Sequence, residues 1–152
     1  MGIYLKYEGM KSGAIKGGAT ETGNVGSITI LSLDLGLGHP IDPATHLASG
    51  KQVIRPVVVT KEVDQASPLL LQSCYTNEVG KTCKFTCTRT DTNGQTAPYL
   101  TVELKNTTIT DFNHTSGAND MGVERLTFNF TSLEFTWVNG GIVASIDMMA
   151  QT

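Results

Sequence analysis

The sequence predicts a mainly β protein: an antiparallel β-barrel of about eight strands, with one short α-helix on its side and a long extended loop. Three observations lead there. Apolar and polar residues alternate with period two through several separate segments, the pattern of a half-buried strand. Twenty-one threonines stand beside many valines and isoleucines, residues that suit a pleated surface. Only one stretch carries the four-residue spacing of an amphipathic helix.

Bulk properties narrow the class. With 152 residues, 39% hydrophobic and 16% charged, the chain suits one globular domain over residues 1–152. A formal net charge of −3 offers no basic face to nucleic acid or to an anionic membrane, so neither is expected as a partner. No run reaches the ~20 apolar residues of a membrane helix. The start of the chain, with Lys6, Glu8 and Lys11, lacks the apolar stretch of a signal peptide, so synthesis as a soluble cytoplasmic protein is expected. Lys6 also stands where a myristoylation signal wants Ser or Thr.

Taken in order, Ile3, Leu5 and Tyr7 alternate with Tyr4, Lys6 and Glu8 as a first strand. Gly9 to Gly26 is a Gly-, Ser- and Thr-rich excursion, and its Gly17-Gly18 pair lacks the spacing of a phosphate loop. Ser27 to Gly36 alternates again, with Thr29, Leu31, Leu33 and Leu35 on one side. Its other side, Ile28, Ile30, Ser32 and Asp34, turns polar toward the end, as the solvated outer face of a solitary barrel or the lumen wall of a ring would. Leu37 to Gln52 has no periodicity and contains Pro40 and Pro43, and so long an excursion is usually functional. Asp42-Pro43 starts a turn there.

Val57, Val58 and Val59 form a buried strand. A helix follows, with Ser67 as N-cap, Pro68 in the first turn, and Leu70/Cys74 and Leu71/Tyr75 spaced by four. Asn77 and Gly80 stop it. Its buried contacts are drawn from Leu69, Leu70, Leu71 and Cys74. Thr82 to Thr90 is a strand with Cys83, Phe85 and Cys87 inward, and Asp91 to Gly94 is its hairpin turn. The partner strand begins near Pro98, and beyond Asn106 a bend shifts the apolar phase to Ile109. Glu124 to Val138 reads as one long strand with a parity break: Leu126, Phe128 and Phe130 share a face that Leu133, Phe135 and Trp137 do not. Either a bulge near Thr131-Ser132 re-aims the side chains or the second set faces another subunit. Asn139-Gly140 turns the chain into a last strand, Ile142 to Met149.

No catalytic, cofactor or metal site emerges. Cys74, Cys83 and Cys87 are an odd set without a disulfide framework, and His39, His46 and His114 have no ligand spacing to them. His39, Asp42 and His46 match no helix carrying paired ligands. Ser116, His114 and Asp120 contain the residue types of a hydrolase triad, but no nucleophile elbow accompanies them, and loop composition accounts for all three.

The segment TKEVDQASPLLLQSC, followed at the right distance by ERLTFNFTSLEFTWV, resembles the Hcp family, the tube-forming proteins of bacterial type VI secretion systems. The likeness runs from Ile3 to about Asp147. It implies an Hcp-like, tail-tube fold and a non-enzymatic structural subunit that forms homo-hexameric rings, stacked into a tube that carries or exports effectors. Implied partners are a contractile sheath, a VgrG-like spike protein and effector proteins, and implied localisation is the bacterial cytoplasm with export that uses no signal peptide. By the same resemblance, Leu37, His39, Pro40, Ile41, Asp42, Pro43, His46, Leu47 and Lys51 belong to a loop that contacts the next ring, and Ser32 and Asp34 face the bore. Ser67, Pro68, Leu70, Leu71 and Cys74 belong to the structural helix. Two alternatives stand beside this: a phage-type tail tube protein, and a monomeric ligand-binding β-barrel or small enzyme.

Overall fold

The structure is a computed structural model that describes residues 2–21, 23–48, 50 and 52–148. Its first half holds β1 (Gly2–Gly9), β2 (Gly13–Ile15), β3 (Ile28–Ile30), β4 (Ser32–Asp34), β5 (Leu37–Gly38), β6 (Val53–Ile54), β7 (Val57–Glu62) and helix α1 (Ser67–Thr76). The second half holds β8 (Gly80–Thr90), β9 (Thr96–Lys105), β10 (Thr108–Thr115), β11 (Val123–Asn129), β12 (Ser132–Trp137) and β13 (Ile142–Asp147). The strand count exceeds the expected eight because β2 to β6 are pieces of two or three residues. A seven-stranded antiparallel sheet, β13-β12-β9-β8-β1-β2 with β3 also on β1, faces a four-stranded sheet, β10-β11-β7-β4. Leu5, Phe85, Val102 and Leu104 from the first meet Val57, Val59, Leu126 and Phe128 from the second in one barrel-like core. Phe85 and Phe128 pack edge to face with ring centroids 5.8 Å apart.

The chain passes from one sheet to the other at corners, and at each corner the inward parity changes. Ile28 and Ile30 are buried in β3 alongside β1, but Ser32 and Asp34 are exposed although they continue the same alternation. The expected single strand is therefore two. Leu31 is the exposed corner, and Leu33 packs on the core from the opposite sheet. Asn106 makes the second corner in the left-handed region at φ 51°, a conformation Asn tolerates, and carries the inward set from Leu104 to Ile109. The third lies at Phe130-Thr131, between Phe128 in one sheet and Leu133 in the other. Thr131 ties the last two together: its N–H donates to the Lys105 carbonyl at 3.0 Å, and its hydroxyl accepts from Asn106 Nδ2 at 2.9 Å. The parity break is thus a change of sheet within one subunit.

Helix α1 is capped differently from the sequence expectation. Ala66 occupies the N-cap, and Ser67 is the first helical residue. Buried residues recur as Ser67, Leu70 and Ser73, with Cys74 half-buried against the core. Leu71 is 52% exposed and Tyr75 86%, so the Leu71–Tyr75 stripe faces water and takes no part in the buried contacts. Asn77 ends the helix at φ 55°, its N–H bonded to the Cys74 carbonyl, whereas Gly80 already belongs to β8 beneath the Tyr7 ring.

The helix is fixed by a buried charge network. Lys61 continues the inward set Val57, Val59 on β7, and Glu124 begins the inward set Leu126, Phe128 on β11; the two are directly paired across the ladder. Lys61 Nζ lies 2.7 Å from Glu124 Oε1, 3.0 Å from Asp64 Oδ1 and 2.9 Å from Ser67 Oγ. The ammonium's three protons thus have three acceptors. The Ser67 hydroxyl donates to Glu124 Oε1 at 2.5 Å, and His114 Nδ1 lies 2.9 Å from Glu124 Oε2. Burial by itself pushes the Glu124 carboxyl up, but hydrogen bonds from Lys61, Ser67 and His114, with the charge of Lys61, outweigh it and hold the group below its ordinary value.

Two consequences are measurable by urea unfolding. Leu70→Ala should lower stability by ~2–5 kcal/mol and Leu70→Asp should prevent folding, whereas Leu71→Asp should change stability by ~0.5 kcal/mol or less. Because the folded-state pKa of Glu124 is depressed, its stabilisation is fully present above the unfolded value, about 4.3, and is lost as pH falls through the folded value. Glu124→Gln should therefore lose ~1–3 kcal/mol at pH 7, where Lys61 would keep only the partly exposed Asp64 as its counter-charge, and show a shallower fall in stability through the acid range.

Candidate assembly surfaces

The segment after Leu35 forms a projecting arm. Leu37 pairs with Ile54 and Gly38 with Val53 at its root, and an isolated bridge joins Ile41 to Ala48 farther out. The tip is built around Asp42. Its N–H donates to the Leu47 carbonyl at 2.9 Å, its carboxylate accepts from the Ala44 N–H at 2.9 Å, and its carbonyl accepts from the His46 N–H at 2.7 Å. Asp42-Pro43 is therefore the turn starter that the sequence suggested, with His46 left-handed at φ 59°. His39, Pro40 and Pro43 are exposed, and the large apolar residues Ile41 and Leu47 are 64% and 68% exposed. Lys51 lies outside the described residues. Side chains of this kind, held clear of their own core on a braced hairpin, present a contact for another molecule.

Ser32 and Asp34 project from the solvent face of the four-stranded sheet, in register with Thr60 and Val58. The Ser32 and Thr60 hydroxyls are 2.6 Å apart. The seven-stranded sheet has its own polar outer face, which sequence reasoning missed. Across neighbouring strands its register aligns Lys6, Lys84, Glu103, Glu134 and Ser145 in one row, two cations followed by two anions. Like charges directly opposite one another weaken a sheet, so this row is not an optimum for the isolated subunit. The signal was present as charged residues at outward positions on separate strands; only the register aligns them.

At one end of the same sheet, Trp137 stacks edge-on to Tyr99 at 6.0 Å, with the Arg89 guanidinium 5.6 Å from both rings. Phe135 and Trp137 are each 38% exposed, whereas Leu133 is buried, so the second apolar set is divided between core and surface.

Ser116 and His114 do meet, through a hydrogen bond from Ser116 Oγ to the His114 Nε2 side of the ring. The carboxylate on the other side is Glu124, not Asp120, which instead closes the Gly117–Asp120 turn with its N–H. Glu124 is shared with Lys61 and Ser67, and the imidazole links the buried network to the loop after β10. The strand leads into a turn rather than a helix, so this is a latch on a loop and not a nucleophile elbow. Cys83 and Cys87 are buried free thiols on β8, and burial pushes both thiols up, away from the reactive thiolate.

Comparison with known proteins places this geometry. The family model described as "Type VI secretion system effector, Hcp" matches residues 4–137. The "Major exported protein" of Pseudomonas aeruginosa is 28% identical over 150 residues, covering 90% of this chain and 87% of that protein. Among solved structures, a mutant Hcp1 protein from E. coli EAEC 042 superposes with a TM-score of 0.89 at 24% identity, covering 97% of this chain and 99% of that one. The secreted protein Hcp3 from Pseudomonas aeruginosa gives a TM-score of 0.79 at 24% identity, covering 95% and 98%. The two structures share the fold, and the family model spans β1 through β12. By its arrangement of two facing sheets, one short helix and a projecting arm, and by this match over most of its length, the chain belongs to the Hcp family, the tube proteins of type VI secretion.

Proposed function

We propose that the chain is one structural domain that works without catalysis, as the repeating subunit of a type VI inner tube. Copies close into hexameric rings, the rings stack, and the tube carries or exports effector proteins. A contractile sheath and a VgrG-like spike are its partners in that apparatus. The subunit is made in the bacterial cytoplasm and leaves by this route without a signal peptide.

The observation that carries the reading is the braced arm, with Ile41 and Leu47 held away from the subunit's own core. A self-sufficient monomer gains nothing from that exposure, whereas a stacking subunit covers it. The interior supports the same conclusion against a ligand-binding barrel, because Leu5, Phe85, Leu126 and Phe128 fill the space between the sheets. Family membership supports the ring and the export route. Ser32 and Asp34, on a polar sheet face, are assigned to the bore.

Native mass spectrometry and negative-stain imaging of the purified protein should show hexamers and stacked rings; a persistent monomer at high concentration would count against the reading. Shortening the arm between Gly38 and Val53 should leave the subunit folded, with its melting transition retained, and reduce stacking. Cysteines placed at Ser32 and Asp34 in assembled tubes should react with a small maleimide and resist one too large to enter the bore. Equal reaction with both reagents would remove these two residues from the lumen.

A further inference from the structure

The edge of β1 that faces away from β8 is shared by two short strands. β3 pairs with Ile3 to Leu5 and β2 with Tyr7 to Gly9, so Lys6 is the one β1 residue between the two ladders. Both strands run antiparallel to β1, and residues 16–27 leave the sheet at the break between them. The excursion is tied to itself. The Gly17 N–H donates to the Gly26 carbonyl at 2.9 Å, the Ala19 N–H to the Ser27 carbonyl at 3.1 Å and the Gly26 N–H to the Ala19 carbonyl at 3.0 Å. A hollow of about 450 Å³ lies at the break, bounded by Lys6, Tyr7, Ile15, Lys16, Val25 and Ser27 among others.

The lining combines three kinds of group. Tyr7 and Ile15 are buried and Val25 is exposed, which gives an apolar surface reaching from inside to rim. Ser27 is only 2% exposed, and its hydroxyl has no hydrogen-bond partner among the described residues. Buried hydroxyls ordinarily have one, so this donor is available to something the subunit does not itself supply. The third kind is charge. Lys6 and Lys16 are exposed and form no ion pair among the described residues. Across β8 the partner of Lys6 is Lys84, a like charge that itself faces Glu103. The one carboxylate of the lining, Glu8, lies 3.7 Å from Lys81. The rim therefore carries a surplus of positive charge beside an apolar surface.

We infer that this hollow binds a small organic acid with an apolar body. Its anionic head lies between Lys6 and Lys16 and accepts a hydrogen bond from the Ser27 hydroxyl, and its body covers Ile15 and Val25. The volume is in the range of small-molecule sites, and the lining has their usual form, apolar surface with a few polar groups that fix orientation. An inorganic anion would leave Ile15 and Val25 uncovered. A hydrocarbon would leave the two ammonium groups and the buried hydroxyl unmatched. Every residue of the site belongs to one subunit, so it stands independently of the tube function. It also belongs to the seven-stranded sheet, whereas Ser32 and Asp34 lie on the four-stranded one.

The test is isothermal titration calorimetry of the full chain with hexanoate, which should bind saturably at one site per subunit. Acetate, the head alone, and 1-hexanol, the body alone, should each bind at least tenfold more weakly. The double variant Lys6→Gln, Lys16→Gln, altered only at exposed positions, should keep its melting transition and lose at least tenfold in hexanoate affinity, and Ser27→Ala should also bind more weakly. Brief acetylation read by mass spectrometry locates the site: hexanoate should protect Lys6 and Lys16 while the exposed Lys11 and Lys105 react as before. Absence of saturable hexanoate binding would overturn the proposal, as would unchanged affinity in the double variant or protection of all four lysines alike. Equal binding of 1-hexanol would overturn the assignment of an anionic head.

Discussion

The chain has to serve two sheets with one set of strands, and the structure depends on how it changes sides. A strand that continued straight would turn its apolar face outward after leaving the first sheet, because side chains alternate strictly. Leu31, Asn106 and Phe130-Thr131 each absorb a change of parity, and the core is continuous because they do. Two of these corners touch through Thr131 and Asn106, so the bends in β9–β10 and β11–β12 hold one another.

Where the core ends, charge takes over. Lys61 and Glu124 occupy the last inward positions of neighbouring strands, and a hydrocarbon pair there would have packed more cheaply in desolvation. The ionic pair does something a hydrocarbon pair does not: it takes Asp64 from the approach to α1, Ser67 from its first turn and His114 from β10 as specific partners. Helix position is set by directional bonds as well as by the burial of Leu70.

Much of this was legible in the residues. Period two gave β1, β8 and β9, and Asp91 to Gly94 marked the hairpin, where the Asp91 carboxylate accepts from the N–H groups of Asn93 and Gln95. The parity break at Thr131 was visible too, although sequence could not choose between a bulge, another subunit and another sheet. At Ser27 to Gly36 the alternation was misleading, because Leu31 is apolar and hides the corner it makes. Three consecutive leucines cover more than one side of a helix, so Leu70 could not be separated from Leu69 and Leu71 without knowing where α1 lies. Ser67 was a good cap by type, yet its hydroxyl is drawn to Glu124, a residue 57 positions away. The arm was recognisable as an excursion and its tip as an Asp42-Pro43 turn, but the pairing of Leu37 with Ile54 and Gly38 with Val53 at its root joins residues that no local pattern connects.

The buried thiols of β8 have a bearing on travel between compartments. Cys83 and Cys87 lie on one face of a single strand, four residues apart, so their Cα atoms are about 13 Å from each other, far beyond disulfide reach. Both point into the core and resist ionisation. An exported protein changes its redox surroundings. These two side chains cannot answer that change by a disulfide with each other, and burial disfavours the thiolate form that oxidants attack.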